Sequence, residues 1–210
     1  MKRRPYRLKR RAEQQARTRE RIVEAAAALH EQLGPRNTTI SAVAERAGVQ
    51  RLTVYRHFPD DRALFAACSA HWLGLNPPPD AQAWRDLDDP AARSRAALGA
   101  LYAYYRRTAR MWRSVYRDLE ALPALEKPMA GVQAYLQDVA GDLLATWRAG
   151  PGARRTLKAA LAHCVAFATW DSLAREGLKD AEMADAAVRW LEALANQRAA
   201  AGRVRAIMAA

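Results

Sequence analysis

Crosslinking residues are scarce in this chain. Its 210 residues include only two cysteines, Cys68 and Cys164, which excludes a disulfide framework and a four-cysteine zinc site. Each lies in a helix-like stretch and is expected to be a buried, reduced thiol. The four histidines, His30, His57, His71 and His163, have no partner at zinc-ligand spacing, so neither a metal nor a cofactor is expected. A Gly-rich phosphate loop, a nucleophile elbow and a paired-carboxylate signature are also missing, and the chain is not expected to be an enzyme. No run of about 18 apolar residues is present, so no membrane span is expected. No apolar segment follows the basic start, which excludes an ordinary secretory signal. An intracellular protein is expected.

Acidic residues are outnumbered, 22 against 34 Lys and Arg, for a net charge of +12. The imbalance is local. Residues 1–21 carry ten basic side chains and two acidic ones, a net +8. Residues 22–72 carry five of each sign, and the remainder of the chain adds +4. One reading of the first stretch, residues 1–18, is a basic arm that follows phosphates and releases counterions. The other is a solubilising tail.

Strand signals are nearly absent. Ala, Leu, Arg and Glu dominate and apolar residues recur at intervals of three and four, so the fold class is all-α. A first helix is expected over about Glu13–Leu33, stopped by Gly34-Pro35. Thr39 can cap a short second helix ending at Gly48. A third covers about Arg51–His57, and Asp60 caps a fourth running to about Leu73. Asn76-Pro77-Pro78-Pro79-Asp80 is a loop. Asp89-Pro90 starts a helix that continues to about Leu122, before Pro123. Further helices are expected over about Pro128–Arg148, Ala153–Glu176 and Ala181–Ala200, with a frayed tail from Gly202.

The stretch Thr39 to Phe58 holds two very short helices around a turn with Gly48. Neither is stable alone in water. Ile40, Val43, Ala44, Val49, Val54 and Phe58 supply faces that can meet the first helix. This is the helix-turn-helix arrangement, whose second helix enters the DNA major groove.

Three groups of residues carry a specific resemblance: Ala44-Glu45-Arg46-Ala47-Gly48-Val49, Thr53-Val54-Tyr55-Arg56-His57-Phe58-Pro59, and Ala63-Leu64-Phe65. Over residues 19–66 the sequence resembles the TetR family (TetR/AcrR-like) of bacterial transcriptional repressors. The resemblance implies an N-terminal helix-turn-helix domain, residues 19–72, and a larger helical domain, residues 73–202, for ligand binding and dimerisation. It implies a cytoplasmic, nucleoid-associated homodimer that binds a palindromic operator in double-stranded DNA and releases it when a small-molecule effector binds. Arg51, Leu52 and Thr53 open the recognition helix and reach base edges first. Arg51 can make a bidentate contact with guanine. Tyr55 and His57 resemble positions that touch the sugar-phosphate backbone, with Thr39 and Ser41 facing the same groove. A packing role for the Tyr55 ring stands beside that reading.

Three positions depart from the family's pattern. Gln50 stands where a small capping residue is usual, Ala42 where an acid completes a capping box, and Asp61 where a basic residue usually touches phosphate. Asp61 can instead favour the helix N-terminus electrostatically.

Twelve of the sixteen aromatic residues lie beyond residue 71. Tyr102, Tyr105, Trp112 and Tyr116 recur on one helix face if the helix is continuous, and Arg106, Arg110, Arg113 and Arg117 form the opposite stripe. With Phe167 and Trp170, these rings are either core or the lining of a ligand pocket. Leu157, Leu161, Cys164 and Ala168 mark one face of the penultimate helix, and Met183, Ala187, Trp190, Leu191 and Leu194 one face of the last. These faces either pair two subunits in a four-helix bundle or pack within one. A rival function from another class is non-specific coating of nucleic acid without ligand response. That role would use the basic arm but not Arg51-Leu52-Thr53.

Overall fold

A computed structural model describes residues 3–208, with side chains described for residues 8–196. Lys2, part of the basic arm, lies outside the described residues. The described residues form α-helices joined by turns and three one-turn 3₁₀ segments, without a strand. They group into two compact units. One comprises Met1–Pro77 with Arg110–Ala130, the other Pro78–Ala109 with Gly131–Ala210.

In the first unit, α1 spans Arg3–Leu33, α2 Ile40–Arg46, α3 Arg51–His57 and α4 Asp61–Leu75. Ile22, Val23, Ala26 and Leu29 of α1 form one core with Val43, Ala44, Val54, Phe58, Leu64 and Cys68. Seven-residue helices such as α2 and α3 persist only through such packing. Each large side chain buried there contributes about 1.5–3 kcal/mol. α1 begins at Arg3, ten residues before the expected start, so the described part of the basic arm is helical. Arg, Gln and Ala are good helix formers, and Pro5 falls in the first turn, where its missing N–H has no intrahelical role.

Gly34 ends α1 with φ +89°, a left-handed conformation suited to glycine. A Cβ there would collide with the side chains of Arg117 and Asp118. Those residues end α6, which spans Pro90–Asp118. The last carbonyls of a helix have no intrahelical partner. Here Arg110 donates to the Glu31 carbonyl (3.2 Å) and Arg117 to the Leu33 carbonyl (3.2 Å). The Asp118 carboxylate accepts the Arg36 backbone N–H at 3.0 Å. The hydrogen bond from Arg117 holds Asp118 below the usual carboxylate range, against the opposing effect of burial. Trp112 meets Trp72 of α4 edge-on, with ring centroids 5.5 Å apart. These contacts make the first unit discontinuous in sequence.

The second unit holds α5 (Gln82–Arg85), the rest of α6, most of α7 (Glu126–Thr146), α8 (Pro151–Cys164), α9 (Phe167–Arg175) and α10 (Asp180–Met208). The four-residue α5 is too short to show a period. α10 runs eight residues past its expected end at Ala200. The single helix expected over Ala153–Glu176 is two, because Ala166 is extended (φ −73°, ψ 140°). Tyr102 donates to the Cys164 carbonyl and Tyr105 to the Val165 carbonyl, both at 2.8 Å. Thr169 donates to the His163 carbonyl at 2.6 Å. Three hydroxyls thus bond carbonyls at the break, of which that of His163 also accepts the Ala166 N–H at 3.1 Å.

Candidate nucleic-acid interface

Local chemistry positions the motif. Thr39 caps α2, its hydroxyl accepting the Ala42 N–H at 3.1 Å. Gly48 turns the chain with φ +63°, which an L side chain rarely adopts. Gln50 precedes α3 and makes no side-chain capping bond. Asp60 caps α4 through the Ala63 N–H at 2.8 Å, and the exposed Asp61 sits in the first turn of α4, where a negative charge favours the helix dipole.

α3 is divided by its own periodicity. Val54 is fully buried and the following Phe58 nearly so. Arg51, Leu52 and Tyr55 therefore point away from the core. Leu52 is 69% exposed and Tyr55 45% exposed, so the packing role for the Tyr55 ring is at most partial. Thr53 and His57 are half-buried, and Thr39 and Ser41 are exposed. Six of the seven candidate DNA-contacting residues thus lie on the two helices of the motif and Thr39 caps the first, each open to solvent at least in part. The Arg19 guanidinium lies 4.9 Å from the centroid of the Phe58 ring. Desolvation, then Arg56 and Arg19, pull the His57 imidazole below its ordinary range.

Sequence reasoning read residues 1–18 as a basic arm but did not place them beside α3. Arg11, Gln14, Gln15, Ala16, Thr18 and Arg19 of α1 wall an open cleft of about 770 Å³ with Thr53, Arg56 and His57 of α3. The available signal was the spacing of Arg11, Gln14, Gln15, Thr18 and Arg19, one face of a helix in phase with the buried Ile22 and Ala26.

The aromatic candidates fall in different units. α6 is unbroken through Thr108, as the stripe requires. Even so, Trp112 and Tyr116 belong to the first unit, and Tyr102, Tyr105, Phe167 and Trp170 to the second. Within the second unit, the Tyr105, Phe167 and Trp170 rings lie 5.3–6.0 Å apart and fill one another's space. Trp170 also donates its indole N–H to Asp180 at 3.2 Å. The four arginines opposite are exposed. Arg106 is held by both oxygens of Asp180 at 2.9 Å.

The residues expected to pair subunits divide by their exposure within the chain. Leu157, Leu161, Cys164, Met183, Ala187 and Leu191 are buried within the chain, where α8 packs on α10. Side chains enclosed in this way have no surface left for a partner. Ala168 and Trp190 are exposed and Leu194 half-buried. Both cysteines are buried free thiols, as expected. Among the described residues, no helix is long and apolar enough to cross a membrane.

Fold and motif together define a helix-turn-helix DNA-binding protein. Residues 22–68 match the family model of bacterial regulatory proteins, tetR family. Residues 22–68 are thus a regulatory DNA-binding domain of the tetR-family type. Solved structures share the fold over most of the chain. A TetR-like transcriptional regulator from Rhodococcus sp. RHA1 is 20% identical, covers 87% of this chain and 96% of its own, and superposes with a TM-score of 0.54. A tetR-family regulator from Streptomyces coelicolor is 18% identical, with coverage of 92% and 89% and a TM-score of 0.56. The multidrug binding protein EbrR, complexed with imidazole, is 21% identical, with coverage of 84% and 89% and a TM-score of 0.53. No curated protein sequence matches the chain.

Proposed function

We propose that this protein is a dimeric, ligand-responsive repressor that binds a palindromic operator through α3. The observation that carries the reading is the outward set Arg51, Leu52 and Tyr55 on a helix anchored by the buried Val54. Leu52 and Tyr55 lie exposed beside Arg51 on this short helix, so α3 presents one mixed apolar and cationic face. Base edges in a major groove suit both the guanine-reading Arg51 and the apolar Leu52. Thr39, Ser41, Thr53, Tyr55 and His57 then hold the backbone or neighbouring bases. The matched TetR-family domain supports this assignment.

The repressor and ligand roles rest on family character and on the ring-rich second unit. One fold relative is described as a multidrug binding protein. A ligand bound among the helices of the second unit would act through α6, the helix shared by both units. Its last turns hold the end of α1 and meet α4 through Trp112 and Trp72. For the dimer, the outward Trp190, Ala168 and Leu194 remain available on the last helices. A protein of this kind works in the bacterial cytoplasm, on the nucleoid.

Base-by-base selection from random duplexes tests the reading. Arg51→Ala should relax preference at one base pair per half-site, by about 1–3 kcal/mol. A uniform loss over all sequences would place Arg51 on phosphate instead. The rival, a non-specific nucleic-acid coat, yields no preferred palindrome from the wild-type protein.

A further inference from the structure

We propose that the cleft between the N-terminal half of α1 and α3 is a second DNA site, one that seats the sugar-phosphate backbone outside the bases α3 reads. This rests on the reading of α3 as a recognition helix.

The argument starts from one helix face. Ile22, Ala26 and Leu29 of α1 are buried in the core. Continued toward the N-terminus, the same face carries Thr18, Arg19, Gln14, Gln15 and Arg11. A face that would be apolar if protein covered it is here cationic and hydrogen-bonding. Arg11, Gln14, Gln15 and Arg19 are exposed, and Thr18 is half-buried. Across the cleft stand Thr53, Arg56 and His57 of α3. The described residues lining it include no carboxylate, and the nearby Glu13 lies on the adjacent face with Arg10 and Arg17. Arginines supply charge while Gln and Thr supply neutral donors, the usual equipment for phosphodiester oxygens. Arg19, seated on the Phe58 ring, ties α1 to the end of α3, so the cleft keeps a fixed position beside the recognition helix.

Length gives the direction. From Arg3 to Arg19, α1 extends roughly 24 Å at about 1.5 Å per residue. Recognition helices one DNA turn apart are about 34 Å centre to centre, too close for two such projections between them. The projection therefore runs outward, over about seven base pairs at about 3.4 Å each.

The test uses palindromic duplexes selected by the full-length protein from random sequence. One is trimmed to its constrained bases and another extended by about ten base pairs at each end, with affinities read by fluorescence anisotropy at about 0.15 M salt. The wild type should bind the extended duplex at least about tenfold more tightly. Deletion of residues 2–11, and the double substitution Arg11→Glu with Gln15→Glu, should each reduce that gain to about twofold and leave the trimmed duplex unaffected. Lys158→Glu, on α8, should keep the gain. Equal wild-type affinity for both duplexes would overturn the proposal, as would equal losses on both by the charge-reversed variant. Failure to select any constrained bases would instead overturn the recognition-helix reading itself.

Discussion

α3 and the ring cluster of the second unit treat large side chains in opposite ways. α3 turns Leu52 and Tyr55 into solvent and buries only Val54, followed by Phe58. The second unit buries Tyr102, Tyr105, Phe167 and Trp170 and gives each tyrosine hydroxyl a carbonyl partner. In sequence both are aromatic or apolar residues at helical spacing. What separates them is whether the remainder of the chain covers them. A covered and satisfied group contributes to stability, whereas Leu52 and Tyr55 are free to meet a partner because they share the outward face of α3 with Arg51.

This contrast can be broken at its strongest point first. Trp170→Ala should destabilise the protein by about 3–5 kcal/mol, as deletion of a buried large ring does, measured by chemical denaturation. A change below about 1 kcal/mol would mean that the ring cluster is an open pocket and not packed core.

Acid sharpens the comparison next. His30 is buried, stacked 4.9 Å from the Phe65 ring, and desolvation pulls its pKa to about 4 from 6.5. The unfolded chain therefore binds the proton more readily than the folded one. This contribution to stability is complete above pH 6.5 and is lost as pH falls toward 4, by about 3 kcal/mol over the whole window. Denaturation across that range should show the slope in wild type and a much flatter one in His30→Gln. Tyr102 of the second unit adds nothing there. Burial raises Tyr102 further above its ordinary value, so it stays protonated throughout.

A smaller effect is expected from Tyr105→Phe. The ring remains, but the Val165 carbonyl loses its hydrogen bond, for about 1–2 kcal/mol. The smallest change in stability belongs to α3. Leu52→Ala and Tyr55→Ala should each leave unfolding within about 0.5 kcal/mol of wild type while weakening operator binding. Substantial destabilisation would make Leu52 or Tyr55 a packing residue and erase the contrast.

Legibility in the sequence followed the range of the forces involved. Thr39, Gly48, Pro59 and Asp60 act on neighbours within a few residues, so α2, α3 and the start of α4 could be placed from local chemistry alone. The α8–α9 break carries no Gly or Pro. It is stabilised by Tyr102 and Tyr105, about sixty residues away in the chain, which no local pattern reveals. The first unit's use of Arg110 to Asp118 was hidden for the same reason. On α8 and α10, periodicity marked the residues that are buried but not what buries them. That is why Leu157, Leu161, Met183 and Leu191 read as a subunit face. In α1, the run of charge obscured the helix-forming character of the same residues, and with it the cleft beside α3.

The central claim is that α3 reads base sequence. Competition measures it most directly: binding of the full-length protein to its selected palindrome, challenged with increasing bulk DNA at fixed salt. The account predicts a preference of roughly 10³-fold or more for the palindrome. A preference within about tenfold would contradict it and leave a basic protein that coats nucleic acid without reading it.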